Sequence, residues 1–336
     1  MSTPAGERAG GRPLGDPASD SGMALGPYSD ITAAIGHTPM VELLRLSPKP
    51  EVRIFAKLEG ANPTGSLKDR IARSMLDEAR ASGALRPGQT ILEPSSGNTG
   101  ISLALIGSRL GHRVRIVMPD NTTPERTQLL RAFGAEIVYS PGTEGSNGAI
   151  RLAQELASAD PDLYMPFQYG NEANPRVHEE TTGPEILERV PDVDVFVAGL
   201  GTGGTLTGVG RHLKRERDGV RVIAAEPLPG EMVSGLRSLD DGFVPPVLDE
   251  TVLDDRYLVS NRDAVIGVRR LMDEEGLFAG LSSGAVLSVA LKVAAEMQGG
   301  TIVILLADGG WKYLSTDLWT RDLDEVSDEF EGSVLW

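Results

Sequence analysis

Cysteine is absent from all 336 residues, and that omission removes several chemistries at once. There is no disulfide frame, no thiolate nucleophile and no Cys-ligated metal. Imidazole is nearly as scarce: the four histidines, His37, His112, His178 and His212, include no two at ligand spacing, which speaks against a His-rich zinc site. Positive charge is in deficit, with 32 Lys and Arg against 48 Asp and Glu for a formal net charge of −16. A protein this acidic is a poor holder of phosphate backbones, so nucleic acid falls away as a ligand. Long apolar runs are missing too. The longest, from Ile302 to Ala307, is far too short to cross a bilayer, and no membrane contact is expected. What remains is ordinary globular material, 40% apolar and 24% charged, enough for about two domains of roughly 150 residues. Whatever chemistry it performs leans on Lys, Ser, Thr, Asn and backbone amides.

Residues 1–26 are rich in Gly, Pro, Ser and Ala without apolar periodicity. They lack the apolar core of a secretory signal, so the expectation is a disordered tail on a cytoplasmic protein. At the other end, Asp317 to Glu331 is an acidic run finishing in apolar Val334, Leu335 and Trp336. Between the tails, β-branched runs alternate with helical stretches. Strands are expected at Val52–Lys57, Thr90–Glu93, Val114–Met118, Glu136–Tyr139, Val193–Ala198, Arg221–Glu226 and Thr301–Ala307. Helices are expected at Asp69–Ser82, Thr99–Leu110, Pro124–Phe133, Gly203–Arg215 and Ala264–Glu275, among others. This alternation predicts an α/β protein with mostly parallel, twisted sheets flanked by helices. Ligands in such folds gather at the carboxyl ends of strands.

Four segments carry candidate chemistry. Gly201-Thr202-Gly203-Gly204-Thr205 follows a strand and opens a helix, offering bare amides, two hydroxyls and a positive dipole end to a phosphate. With Gly199 it also satisfies G-x-G-x-x-G, and Glu226 ends the next strand where a ribose-binding acid would stand, so a nicotinamide-dependent oxidoreductase is a rival reading. In Asn62–Arg70, Pro63 and Gly65 fix a turn, and Ser66 is a candidate cap for a helix with Lys68 in its first turn. A lysine there opposes the helix dipole, and the same field helps to free its amine for covalent chemistry. A surface lysine is the plain alternative. The loop Ser95-Ser96-Gly97-Asn98-Thr99-Gly100 suits a carboxylate through its hydroxyls and a phenolic oxygen through Asn98, or it is merely a capped helix start. Gly280-Leu281-Ser282-Ser283-Gly284 is either an ordinary turn and cap or aims one hydroxyl at a ligand.

Together and in this order, these blocks resemble the fold type II pyridoxal-phosphate enzymes, most of all the cysteine synthases. The resemblance runs from about Tyr28 to Thr316 and takes in Gly36-His37-Thr38-Pro39-Met40 and Gln168-Tyr169-Gly170-Asn171. It implies two domains like those of the tryptophan synthase β subunit. One is a smaller mobile domain over 56–155 carrying Lys68; the other is a larger domain built from 27–55 and 156–318, with an acidic tail at 319–336. It further implies that Lys68 binds pyridoxal 5'-phosphate as an internal aldimine and moves the Cα proton. Asn98 would meet the ring oxygen, Gly201, Thr202, Gly203, Gly204 and Thr205 the phosphate, and Ser282 the pyridine nitrogen. Ser95, Ser96, Thr99 and Gln168 would receive the substrate carboxylate. A serine opposite the ring nitrogen leaves a milder electron sink than an acid does, favouring β-elimination and re-addition through an aminoacrylate.

Within that family, Leu236-Arg237-Ser238-Leu239-Asp240-Asp241-Gly242-Phe243 is similar to the O-phosphoserine sulfhydrylase branch, in which Arg237 would read the substrate phosphate. The alternative is a surface arginine paired with Asp240 or Asp241. Trp311-Lys312-Tyr313-Leu314-Ser315 and the long tail resemble the same branch, which takes sulfur from a thiocarboxylated carrier protein; the tail tip would then shield the active-site mouth. The basic cluster Arg211 to Arg217 either greets an acidic carrier or is a wet helix face. O-acetylserine sulfhydrylase and cystathionine β-synthase are the nearby alternatives, and a homodimer is the family expectation.

Overall fold

A computed structural model describes residues 27–326 apart from Ser96 and Met232. Ser96 and the tail tip at Val334, Leu335 and Trp336, both singled out above, lie outside the described residues, as do residues 1–26.

The described strands form two sheets. The larger has the order β1-β2-β10-β7-β8-β9, in which β1 is Met40–Glu42, β2 Val52–Leu58, β7 Val195–Gly199, β8 Arg221–Pro227, β9 Asp255–Val259 and β10 Gly300–Leu306. Only β1 is antiparallel to its neighbour. The smaller sheet is parallel throughout, in the order β5-β4-β3-β6; here β3 is Thr90–Pro94, β4 Val114–Pro119, β5 Glu136–Ser140 and β6 Leu163–Tyr164.

Alternation along the strands divides each sheet's apolar residues between two faces. In β10, Ile302, Ile304 and Leu306 join one core cluster, while Val303 and Leu305 join the cluster on the opposite face. In β4, Ile116 and Met118 face one layer and Val117 the other. Helix α1 (Lys68–Ala81) buries Ile71, Ala72, Met75, Leu76 and Ala79, the i, i+4, i+8 spacing of an amphipathic helix. Helix α8 (Asn261–Glu275) starts three residues before the expected Ala264, because the Ser260 hydroxyl accepts from Asp263 N at 3.0 Å and caps its first turn.

Two expected boundaries move. A division at 55/56 would cut β2, which stays whole in the larger sheet, and one at 155/156 would strand β6, which pairs with β3 in the smaller sheet. The acidic tail does not begin at residue 319. Leu318 and Val326 are buried in the larger core and Trp319 and Leu323 pack against it, so this stretch belongs to the domain as far as Val326.

The sheets are joined by a buried ion cluster. Arg70 on α1 donates from Nε to Glu59 Oε2 at 2.8 Å and from Nη2 to Glu185 Oε2 at 2.7 Å, and Lys57 reaches Glu185 at 2.7 Å. Burial pushes the Glu185 carboxyl up, but Arg70 and Lys57 outweigh it and hold the group at about 2. Between about pH 4.5 and 2 the folded chain therefore binds fewer protons here than the unfolded one, and this stabilisation fades on acidification through that window. Arg70→Ala leaves Glu59 fully buried without its main counter-charge; the expected loss is about 3–5 kcal/mol, read as a lower urea midpoint.

Candidate active site

The loops leaving the carboxyl ends of β2, β3, β7, β8 and β10 converge between the sheets on a cavity of about 350 Å³. Its wall includes Lys68, Ser95, Asn98, Thr99, Gln168, Gly201, Thr202, Arg237 and Ser282. Residues far apart in sequence are thus brought to one place.

The segment before Lys68 is stitched to both domains. Leu67 N donates to Ala307 O at 3.0 Å, and Ser66 bridges to Asp308. Asp69 accepts from Thr64 N at 2.7 Å and from Ser102 Oγ at 2.6 Å on helix α2 (Asn98–Arg109). Ser66 Oγ accepts from Lys68 N at 3.3 Å, although the residue immediately before the helix is Leu67. The Lys68 amine has no hydrogen-bond partner among the described residues. Burial is the main force on it and lowers its pKa to about 8; Asp308 opposes, Lys312 reinforces and Glu59 opposes.

Across the cavity, Ser95 Oγ accepts from Gly100 N at 3.0 Å, an interaction that still leaves its own proton to donate. Thr99 Oγ1 donates to Gln168 Oε1 at 2.7 Å. A residue not anticipated from sequence, Glu93 at the end of β3, holds the segment that delivers Gln168: its carboxylate accepts from Phe167 N at 2.8 Å and Gln168 N at 2.9 Å. Phe167 has φ +54°, an uncommon conformation for a bulky residue. Burial raises the Glu93 carboxyl to about 8, against the pull of those two amides.

The glycine loop closes the far side. Gly203 has φ +84° and precedes helix α7 (Gly204–Glu216). A Cβ on Gly204 would come within 2.0 Å of Asn174 Oδ1, so only glycine lets the chain pass this close. Asn174 Nδ2 donates to Thr202 Oγ1 at 3.0 Å, and His178 Nε2 lies 3.3 Å from Thr205 Oγ1. Burial above all, with Arg70 adding, drives His178 down to about 3, so its ring is neutral at working pH. Lys68, Gly201, Thr202, Gly203, Thr205 and Ser282 line one further hollow of about 40 Å³. Amides and hydroxyls for a phosphate, an unbonded amine for an aldehyde and a hydroxyl for a ring nitrogen are the donor set that pyridoxal phosphate requires. Those residues fit the group.

The chain belongs to the pyridoxal-phosphate dependent enzyme family. The family's model matches residues 31–308. The cysteine synthase of Staphylococcus aureus (strain Mu50) is 43% identical over 310 residues, an alignment covering 89% of this chain and 100% of that protein. Among solved structures, a cysteine synthase from Entamoeba histolytica superposes with TM-score 0.83 at 34% identity, covering 93% and 98% of the two chains. O-ureido-L-serine synthase superposes with TM-score 0.83 at 40% identity, covering 92% and 100%. This is a pyridoxal-phosphate enzyme of the cysteine synthase type.

The rival nicotinamide reading loses its acid. Glu226 is fully buried and already occupied, accepting from Leu239 N at 3.1 Å and pairing with Arg256 at 3.4 Å. The expected basic cluster is likewise occupied: Arg211 pairs with Asp249, Lys214 with Asp254, Arg215 with Glu179 and Arg217 with Asp194.

Arg237 differs. It is only 9% exposed, and its guanidinium carbon lies 4.9 Å from the Phe243 ring centroid and 5.6 Å from that of Tyr169. No carboxylate pairs with it among the described side chains, and the side chain of Asp241, one of the two partners considered above, lies outside them. A second arginine on the wall, Arg126, went unnoticed in the sequence. It spans the domains, donating from helix α3 (Pro124–Ala132) to Ser234 Oγ at 2.6 Å. The titration of Lys68 is open to direct measurement. In the cofactor-free protein it is expected to react with an amine-modifying reagent at a midpoint near pH 8, read by peptide mass spectrometry, where an ordinary lysine needs about pH 10.4. A midpoint near 10 at Lys68 would mean that the amine is solvated.

Proposed function

We propose that this enzyme makes L-cysteine from O-phospho-L-serine, with Arg237 as the residue that reads the phosphate. The observation that carries the reading is a buried guanidinium on the cavity wall, braced by two aromatic rings and without a carboxylate partner among the described side chains. The two acids on the same wall are already engaged, Glu144 by Arg151 and Glu231 by the Asn261 amide. A dianionic substrate group is the natural complement of such a cation, because guanidinium presents a planar fork to phosphate oxygens. In a chain of net charge −16, an anionic substrate needs a local cation of this kind.

Bound pyridoxal phosphate supplies the electron sink that lets a Cα proton and a Cβ substituent leave an amino acid. The protein's part follows from its side chains. Lys68 holds the cofactor aldehyde, and its Nζ later takes the Cα proton and returns one at the end. Asn98 donates to the ring oxygen, the Gly201–Thr205 amides and hydroxyls hold the phosphate, and Ser282 meets the ring nitrogen. Ser95, Thr99 and Gln168 receive the substrate carboxylate. The Cβ–O bond breaks with phosphate carrying the electron pair, and an external sulfur nucleophile forms the Cβ–S bond. With no cysteine in the chain, that sulfur comes from outside. A thiocarboxylated carrier protein is the donor favoured here: Trp311 and Leu314 are 44% and 55% exposed on the same turn as Tyr313, which lines the cavity.

A charged hydrogen bond contributes about 1.5–3 kcal/mol, or about 10- to 150-fold. Arg237→Ala is expected to lose that factor in kcat/KM with O-phosphoserine and little with O-acetylserine; equal losses on both donors would reject the phosphate-reading role. A parallel assay sets sulfide, a thiocarboxylated carrier and hydroxyurea in competition as the second substrate. Cysteine from the carrier supports the sulfur route, whereas preferential capture of hydroxyurea would place the enzyme with O-ureido-L-serine synthase instead.

A further inference from the structure

Lys312 is a second lysine in this interior, and no step above uses it. It lies on the turn Gly310–Thr316 after β10 and is fully buried. Its ammonium donates to Asn98 Oδ1 at 2.5 Å and to Gly65 O at 3.2 Å. On the other side of the same amide, Asn98 Nδ2 donates to Asp308 Oδ2 at 2.8 Å, an oxygen that also accepts from Tyr313 OH at 3.1 Å.

We propose that Lys312 is a positioning residue: with Asp308 it locks the Asn98 amide in one orientation, so that nitrogen, never oxygen, is what Asn98 presents to the cofactor's ring oxygen. This rests on the assignment of Asn98 made above. An ammonium has only donors and a carboxylate only acceptors. The amide must therefore turn its oxygen to Lys312 and its nitrogen to Asp308, and a flip would set NH₂ against NH₃⁺ and C=O against COO⁻. One N–H of Asn98 is used on Asp308, and the other remains for a ligand. An asparagine held from one side only would be free to turn a carbonyl toward an anionic oxygen.

The same placement gives Lys312 a second effect, on the amine of Lys68. The charged groups acting on Lys68 are Asp308, Lys312 and Glu59, and those acting on Lys312 are Asp308, Asp69 and Arg126. Burial brings Lys312 itself down to about 8, against Asp308 and Asp69, so it is charged at neutral pH and loses the clamp above that value. Within this set Lys312 is the like charge that disfavours protonation of Lys68.

Two variants separate positioning from mere packing. Lys312→Met keeps a long apolar stem without donor or charge, while Lys312→Arg keeps both donor and charge; Lys312→Gln replaces the former if it fails to fold. In the cofactor-free protein, Lys312→Met is expected to move the Lys68 modification midpoint to higher pH and cut its rate at pH 7 severalfold, and Lys312→Arg to restore it. In the holoenzyme, the pH profile of the cofactor's visible absorption is expected to change in Lys312→Met and to match wild type in Lys312→Arg. A Lys312→Met protein with lower thermal stability but unaltered Lys68 midpoint and absorption profile would reduce the residue to packing. Asn98→Ala distinguishes the two layers of the argument: an unaltered absorption profile there overturns the ring-oxygen assignment, and with it the locking role, while the Lys68 midpoint in Lys312→Met reports the charge effect independently of that assignment.

Discussion

A partly buried lysine amine on a cavity wall, with no hydrogen-bond partner among the described residues, is the constraint around which this molecule is arranged. Desolvation lowers its pKa to about 8, so a larger share of the amine is free than in an ordinary lysine, and a free amine is useful only if it also stays where a ligand arrives. The chain holds it there by fastening the backbone of Lys68 on two sides. Asp69 is tied through Ser102 to the helix that carries Asn98, and Leu67 is tied through Ala307 to the central strand of the other sheet. Were either tie absent, the first turn of α1 would belong to one domain only, and the glycine loop and the lysine would lose their common frame.

The fate of the buried cations sorts structure from function. Lys57 and Arg70 are answered by Glu59 and Glu185 in a closed cluster, where removing one partner strands another. Lys312 is intermediate, balanced by nearby Asp308 and Asp69 while its protons are spent on Asn98 and Gly65. Lys68 and Arg237 have no ion pair among the described side chains, and both face the cavity. Burying a charge without a partner costs several kcal/mol, so an unanswered cation on a cavity wall is best understood as one whose partner is the ligand. The surface basics, Arg211 to Arg217, are paired on a solvated face and contribute little.

What the sequence made legible was what local chemistry dictates. The central strands β7 and β10 are nearly continuous apolar runs, and the glycine loop advertises itself because only glycine passes so close to Asn174. Lys68, Ser95, Asn98, Gln168 and Ser282 were visible only as separate loops; the fold supplied their convergence. Strand β9 was missed because an edge strand alternates charge with apolar residues, as Asp255-Arg256-Tyr257 does, and β6 because two residues carry no period. The roles of Glu93, Lys312, His178 and Arg126 were not legible for a different reason. Lys312 stands in the Trp311–Ser315 motif and His178 among the four histidines, but the site partners that define these roles lie dozens to hundreds of residues away. The tail boundary was misplaced because acidic residues outnumber the few apolar ones, Leu318, Leu323 and Val326, that anchor the stretch to the core.

The glycine fingerprint was ambiguous between two cofactors because both use the same physics, a phosphate resting on bare amides at a helix start. What separates them is the company each phosphate needs. A dinucleotide site requires a free acid for the ribose, and here that acid is locked between Leu239 and Arg256. The loop's other neighbour, His178, is held neutral beside Thr205, so the nest offers amides, hydroxyls and the dipole of α7 but no full positive charge. A phosphate ester that stays in place through turnover is well served by such fixed dipoles, which need no counter-ion to rearrange. A phosphate that must arrive and leave as a dianion is better served by a guanidinium that can exchange one partner for another. Under the proposed function those two kinds of anion site fall on successive loops, the amide nest after β7 and Arg237 after β8.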